Sequence, residues 1–297
     1  MDKDKIIPES ELILNADGSV YHLKIKPEHL ANSVILVGDP GRVKMVSSGF
    51  DSLEFQGRNR EFIVHTGSYR SKRITVMSTG MGTDNIDIVL NELDALVNID
   101  LETRQIKPKL TSLNLFRLGT SGSLQPDLPL NTPVLSAFGL GLDGMLWFYD
   151  YQETKREQAI REAFLAHSVW EASLPVPYLA EASPELIKLF EQEDLRRGIT
   201  ATAPGFYGPQ GRRLRLPLAF PNINDRLQSF THEQLQILNY EMETSALYGL
   251  SRLLGHRALT ICLSIANRYK RVINKDYHPA MEKLIKMVLN RIAELKD

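Results

Sequence analysis

An α/β fold built on a largely buried sheet is predicted by three observations. Ser33-Val34-Ile35-Leu36-Val37 and Leu115-Phe116-Arg117-Leu118 are short, nearly continuous apolar runs, the pattern of strands covered on both faces. Each passes at once into small residues, Gly38-Asp39-Pro40-Gly41-Arg42 after the first and Gly119-Thr120-Ser121-Gly122 after the second. The third is a strand, glycine loop and helix in succession: Arg73 to Ser78 leads through Thr79-Gly80-Met81-Gly82 to Ile86, Val89, Leu90, Leu93 and Leu96 at helical spacing. With 297 residues, 43% of them hydrophobic, the chain can bury a substantial core, as one large domain or two ordinary ones.

Taken in order, residues 1–19 are polar and read as a loosely held arm, and Val20 to Ile25 alternates like a short strand or extended segment that carries His22. The strand at Ser33 to Val37 is followed by a helix from near Val43. Arg58 to Tyr69 alternates towards a hairpin with Arg73 to Ser78 as its partner, and Asp84 is placed to cap the helix that follows. Residues 98–112 are polar, contain Pro108 and read as an inserted surface loop. The central strand ends at Leu118, where the glycines begin. Val134 to Phe138 is a further strand, and Trp147, Phe148, Tyr149 and Tyr151 form an aromatic cluster suited to packing or a subunit contact. Residues 152–197 are mostly helical in pattern, broken at Pro175 and Pro177 and restarted at Ser183-Pro184-Glu185. A short β-prone piece, Gly198 to Ala203, enters the loop Pro204 to Arg213. Leu238 to Glu243 runs into a helix through Ala246, Leu250 and Leu254 that Gly255 ends. Ala258 to Ile265 is the last strand, and Met281 to Leu295 an amphipathic helix.

The charge excludes several partners. Thirty-five basic and 36 acidic residues give a formal charge of −1, so no global field draws in nucleic acid or an anionic membrane, and an anionic ligand has to be met by locally gathered arginines. The single cysteine, Cys262, lies in an apolar run as a small buried hydrophobe, which suits a reducing compartment. Met1 to Pro8 is charged, and no apolar run approaches the roughly 20 residues a bilayer needs, so a soluble cytoplasmic protein is expected.

Four strand ends offer chemistry. Arg117, Thr120 and Ser121 are placed for an oxyanion, because small residues let backbone N–H groups and hydroxyls close on it while a guanidinium supplies charge. Arg42 and Arg268 stand at similar ends. Phe206, Gln210 and Arg212 give the 204–213 loop an aromatic face, an amide that both donates and accepts, and a guanidinium, suitable equipment for a planar polar ring. Gly80 and Gly82 make half of a dinucleotide fingerprint, without its third glycine or its acidic residue.

Together these motifs resemble the nucleoside phosphorylase-I family along nearly the whole chain, and within it the uridine phosphorylases. The likeness rests on Val37-Gly38-Asp39-Pro40-Gly41-Arg42, Arg60-Glu61-Phe62, Ser78-Thr79-Gly80-Met81-Gly82, Arg117-Leu118-Gly119-Thr120-Ser121-Gly122, Gln210-Gly211-Arg212, Tyr240-Glu241-Met242-Glu243-Thr244 and Asn267-Arg268, in the family's order. It implies one nucleoside phosphorylase domain over residues 1–297, a three-layer αβα arrangement with a central mixed, partly barrel-like sheet. The implied assembly is a homodimeric active unit within a homohexamer.

The implied reaction is phosphorolysis of a pyrimidine nucleoside, uridine and phosphate giving uracil and ribose 1-phosphate, with inorganic phosphate as co-substrate and no organic cofactor. Carried over position by position, Gly38, Arg42, Arg117 and Thr120 resemble the phosphate site, with Arg60 reaching a neighbouring subunit's phosphate. His22, Glu241, Met242 and Glu243 resemble the ribose site, His22 being lent across the dimer to the sugar's far hydroxyl. Ser121, Gly122, Phe206, Gln210, Arg212 and Arg268 resemble the base pocket, and Glu61 with Ser78 resembles a monovalent-cation (K+) site between subunits. Among these Arg117, Glu243, Gln210 and Arg212 carry the catalysis. Asn267 stands where purine-cleaving relatives have a proton-donating aspartic acid, which favours a pyrimidine. The chain departs from the family's usual residues at Thr83-Asp84-Asn85, Gly208-Pro209, Gly211 and Arg213, positions that bear on substrate choice. A purine nucleoside phosphorylase, a nucleosidase and a non-catalytic nucleoside-binding protein are the alternatives.

Overall fold

The computed structural model describes residues 6–295. In chain order, β1 (Ser33–Val37) feeds α1 (Pro40–Ser47), and β2 (Ser52–Asn59), β3 (Phe62–Tyr69) and β4 (Lys72–Ser78) form a meander before α2 (Thr83–Asn98). The short β5 (Ile99–Asp100) and β6 (Gln105–Ile106) pair with one another, ahead of β7 (Asn114–Ser123) and β8 (Pro133–Gly141). Then come α3 (Lys155–Ser168), β9 (Tyr178–Glu181), α4 (Pro184–Lys188), β10 (Arg196–Thr202), α5 (Ile223–Gln228) and β11 (Thr231–His232). The chain closes with β12 (Leu235–Glu241), α6 (Thr244–Leu254), β13 (Arg257–Asn267), β14 (Val272–Ile273) and α7 (His278–Ala293).

The main sheet runs in the order β11-β12-β10-β8-β13-β7-β1-β4-β3-β2, and β12 also pairs with β7. That extra pairing closes β12, β10, β8, β13 and β7 into a five-stranded, barrel-like ring, with the other strands splayed from one side. Two parallel sets compose the sheet. β4, β1, β7 and β13 run one way and β8, β10 and β12 the other, and they meet antiparallel between β13 and β8 and again where Tyr240 lies opposite Gly122. The carboxyl ends of both sets therefore converge, which is where α/β sheets bind ligands. Helices α1 and α7 touch each other, while α2 and α6 pack together with α6 over β8, β10 and β13, which gives the three-layer αβα arrangement. The core has two main clusters, one around β1, β4, β7 and α2 and one around Phe138, Leu179, Ile199 and Phe230, and a single continuous sheet runs through both.

Several elements differ from expectation for identifiable reasons. Val20 to Ile25 is a turn, closed by Val20 N–H on the Ile25 carbonyl at 3.1 Å and by Lys24 N–H on the Val20 carbonyl at 3.0 Å. The segment expected as a loose arm is tied to residues 98–112: Ile7 N–H donates to the Arg104 carbonyl at 2.9 Å, and the Arg104 guanidinium to the Leu12 carbonyl at 2.6 Å. Helix α1 starts at Pro40, three residues before Val43, because Asp39 caps it by accepting from Gly41 N–H at 2.8 Å and proline is compatible with the first helical position. Gly82, not Asp84, precedes the first residue of α2. Tyr178–Glu181, inside the stretch expected to be helical, is a strand against β8. The largest difference is at the centre: β7 does not stop at Leu118 but continues through the glycines to Ser123, paired with β13 throughout.

Candidate active site

The converging strand ends enclose a cleft of about 550 Å³. Its walls include Gly38 and Arg42 from the β1–α1 turn, Arg117, Thr120, Ser121 and Gly122 from β7, Phe206, Gln210 and Arg212 from the 204–213 loop, and Glu241, Met242 and Glu243 from the end of β12. The structure thus gathers four separate sequence motifs around one space. Arg42 is 5% exposed and Arg117 4%, so both guanidiniums work in a largely water-excluded setting where charge interactions are strong.

Arg117 is the hub. One amino group bonds the Glu243 carboxylate; the other lies 3.2 Å from Glu241 Oε2 and 3.3 Å from the Cys262 thiol. Burial alone would lower the pKa of this arginine, but Glu243 and Glu241 together outweigh it and hold the guanidinium above its ordinary value. Burial also raises the pKa of Glu243 against the pull of Arg117. Gly82, whose φ of 102° suits glycine, donates its N–H to Glu243 Oε1 at 2.7 Å. Cys262 is buried and its thiol pushed up to about 12 by burial, so it stays neutral beside the arginine. Arg42 reaches the same end, donating to the Leu118 carbonyl at 3.1 Å.

Glu241 has a different job from its neighbour. Its two oxygens accept from Glu243 N–H at 2.9 Å, from Thr244 N–H at 3.0 Å and from the Thr202 hydroxyl at 2.7 Å. A carboxylate at the start of α6 also complements the helix dipole. Glu241 therefore fixes the Met242–Glu243 turn and one side of Arg117. Thr202 supports it while accepting from Ser245 N–H at 3.0 Å. Thr202→Val, which keeps the shape and removes the hydroxyl, is expected to lower unfolding stability by about 1–3 kcal/mol in denaturant melts, with Thr202→Ser restoring most of it.

The other end of the cleft is flat and cationic. The Arg212 guanidinium lies 3.7 Å from the centroid of the Phe206 ring and donates to Gln210 Oε1 at 2.6 Å, while Arg268 donates to the Gln210 carbonyl at 3.1 Å. Burial, then the nearby Arg268 charge, brings the Arg212 pKa down to about 10. Ser121 accepts from Asn239 at 2.8 Å, which leaves its O–H free to donate. The Tyr240 and Arg268 side chains each bring a buried polar atom without a protein partner among the described residues. Met81, Tyr240, Ile265, Ile273 and Tyr277 complete the walls and went unassigned in the sequence. Tyr240 sits inside a recognised motif. Ile265 enters at a register shift between Ser264 and Ala266, for which no local pattern exists.

His22, Arg60, Ser78 and Asn267 do not line this cleft in their own chain, and Arg268 stands just behind its wall, beside Gly122 and Gln210. His22 and Arg60 are together elsewhere: Arg60 lies over the Tyr21 ring at 5.7 Å, and that ring meets the His22 imidazole edge-on. Arg60 has a φ of 52° at the β2–β3 hairpin turn, a left-handed position that glycine would fill without strain. Asn267 donates to the Gln125 and Leu128 carbonyls at 2.9 and 3.0 Å and accepts from Lys270 N–H at 2.8 Å. Its amide is thus engaged with backbone groups of its own chain, and it does not line the cleft. Glu61 lines the cleft, but Ser78 is buried, its hydroxyl donating to the Glu61 carbonyl at 2.5 Å and accepting from Ile63 N–H at 2.7 Å.

A mixed sheet with a barrel-like closure and an arginine–carboxylate cleft at its converging strand ends defines a class: the chain belongs to the phosphorylase superfamily, whose family model matches residues 32–294. It is similar to the uridine phosphorylase of Thermococcus kodakarensis, with 29% identity over 285 residues, 94% of this chain and 87% of that one. It is also similar to a DeoD-type purine nucleoside phosphorylase of Listeria monocytogenes, with 25% identity over 81% of this chain and 84% of the relative. Among solved structures, a Trypanosoma brucei nucleoside phosphorylase that shows uridine phosphorylase activity superposes with a TM-score of 0.86 at 32% identity, over 96% of this chain and 100% of that one.

Proposed function

We propose that this chain is a pentosyltransferase that cleaves uridine with inorganic phosphate, giving uracil and ribose 1-phosphate. One observation carries this reading: Arg42, from the first turn of α1, and Arg117, from β7, meet Glu243 in a cleft whose far end holds Gln210, Arg212 and Arg268. Breaking the glycosidic bond builds positive charge on the sugar and negative charge on the departing base. Phosphate held by Arg42, Arg117, Thr120 and the Gly38 backbone would stabilise the first from beneath C1′. Gln210 can match a uracil carbonyl and N3–H together, and Arg212 and Arg268 would stabilise the charge on the base oxygens. Met242 and Glu243 then take the ribose.

Charge counting supports an active unit of two subunits. Arg42 and Arg117 share their end of the cleft with Glu241 and Glu243, so the two cations are already balanced before a dianion arrives. An additional cation is required, and Arg60 from a neighbouring subunit supplies it in this reading, with His22 lent to the 5′-hydroxyl. A homodimer assembled into a hexamer in the cytoplasm completes the proposal. A potassium ion at Glu61 and Ser78 would draw on oxygens from both subunits, and no step of the reaction runs through it.

The test is uracil release from uridine with and without phosphate. Release only with phosphate, with ribose 1-phosphate formed in equal amount, is the expected result; release indifferent to phosphate would make the protein a nucleosidase, and no release from any nucleoside a binding protein. A purine reading is kept in view by the purine-cleaving relatives, and a panel of uridine, thymidine, inosine, adenosine and methylthioadenosine separates the two.

A further inference from the structure

His22 is held more tightly than a surface histidine requires. The Glu92 carboxylate, on α2, accepts from His22 N–H at 2.8 Å, from Leu23 N–H at 2.8 Å and pairs with His22 Nδ1 at 2.7 Å. Asn59 fixes the same residue from the other side by donating to its carbonyl at 2.7 Å. The His22 side chain is 28% exposed against 14% for Glu92, so the ring stands at the surface with its carboxylate beneath it. An ionised carboxylate only accepts, so Nδ1 carries the proton, and in the neutral ring Nε2 keeps its lone pair. Among the described residues Nε2 has no partner.

We propose that Glu92 is a positioning residue that locks His22 in the Nδ1-protonated tautomer, so that Nε2 accepts a hydrogen bond from the 5′-hydroxyl of a nucleoside in the neighbouring subunit's cleft. The inference rests on the proposed dimer, in which His22 is lent across. A carboxylate that merely tethers the 20–25 turn would serve equally well as an amide oxygen, but the catalytic consequence would differ. Glu92→Gln keeps one oxygen for the backbone N–H groups and places an NH2 where Oε1 met both His22 N–H and Nδ1; Nδ1 then has to accept, Nε2 becomes the donor, and the 5′-hydroxyl can no longer donate to it.

The experiment measures kcat/KM of the full-length enzyme for uridine and for 5′-deoxyuridine, which lacks the hydroxyl, in the wild type, Glu92→Gln, His22→Ala and the double variant. The expected result is a fall of about tenfold for uridine in Glu92→Gln, the size of one lost hydrogen bond, with less than about twofold change for 5′-deoxyuridine. The double variant should be no worse than His22→Ala. Because both substrates are compared within one preparation, a lost folded fraction cancels, and Glu92→Ala, which removes the acceptor at Nδ1, gives the comparison if Glu92→Gln yields no protein. Equal falls on both substrates would overturn the proposal and leave Glu92 a tether, even if His22→Ala affects uridine selectively. A His22→Ala enzyme with wild-type activity on uridine would overturn the lending of His22 itself.

Discussion

Arg117→Ala is expected to lower kcat/KM for uridine phosphorolysis by at least about 100-fold, the range found when one donor that stabilises developing charge is removed from a buried site. Three consequences follow from its position. The phosphate loses a guanidinium, Glu243 loses the group that orients it, and the Glu241 and Glu243 carboxylates are left buried without the guanidinium that bridges them. The last carries a stability cost as well, since breaking a buried ion pair by removing one member costs about 3–5 kcal/mol. Activity therefore has to be measured on protein shown by thermal melting to be folded at the assay temperature. Arg117→Lys keeps a charge but not the two-pronged geometry that spans Glu241 and Glu243, so it should retain the fold and recover only part of the rate. Folded Arg117→Ala with wild-type kcat/KM would remove Arg117 from the reaction and with it the proposed phosphate site.

What the sequence disclosed depends on how local the signal is. The strand ends were legible because an apolar run broken by glycine and arginine is a contiguous pattern, and four such ends in one chain already implied a shared ligand site. The grouping of Arg117 with Glu243, 126 positions apart, was legible only through resemblance. Other features were not legible at all. Cys262 reads as a packing residue, and only the parallel pairing of β7 with β13 brings its thiol to the arginine. Asn267 reads as a cleft residue because its neighbours are, yet its amide is taken up by the carbonyls of Gln125 and Leu128, whose positions depend on a distant turn. The turn at residues 20–25 reads as an extended segment because its apolar positions alternate in part, while its closure depends on a residue of left-handed φ, Lys24 at 52°, and on Glu92. Glu241 and Glu243 look equivalent in sequence. They diverge because one faces the backbone N–H groups opening α6 and the other faces Gly82 and Arg117.

Gly119→Ala is expected to be nearly as damaging as loss of the arginine, although it adds a single methyl group. In a strand, positions 117 and 119 project to the same face, so the long Arg117 side chain lies back over residue 119. A Cβ there would collide with Arg117 Nη1 and stand 2.7 Å from Cys262 Sγ. The guanidinium is the more movable of the two, since the thiol is on a short side chain inside a paired strand. Relief consequently comes from displacing the Arg117 guanidinium away from Glu241 and Glu243, which costs geometry at the reacting centre more than it costs the fold. We expect a fall in kcat/KM on the order of 100-fold, matching a displaced charge-stabilising donor, with a melting temperature reduced far less than in Arg117→Ala. The decisive measurement is the double variant. If the methyl acts only through the arginine, Gly119→Ala placed on Arg117→Ala should lower kcat/KM by no more than about twofold further, a strong departure from additivity between neighbouring sites. Fully additive losses would mean that the methyl group harms the cleft by another route, and wild-type activity in Gly119→Ala would show that Arg117 does not need the space this glycine leaves.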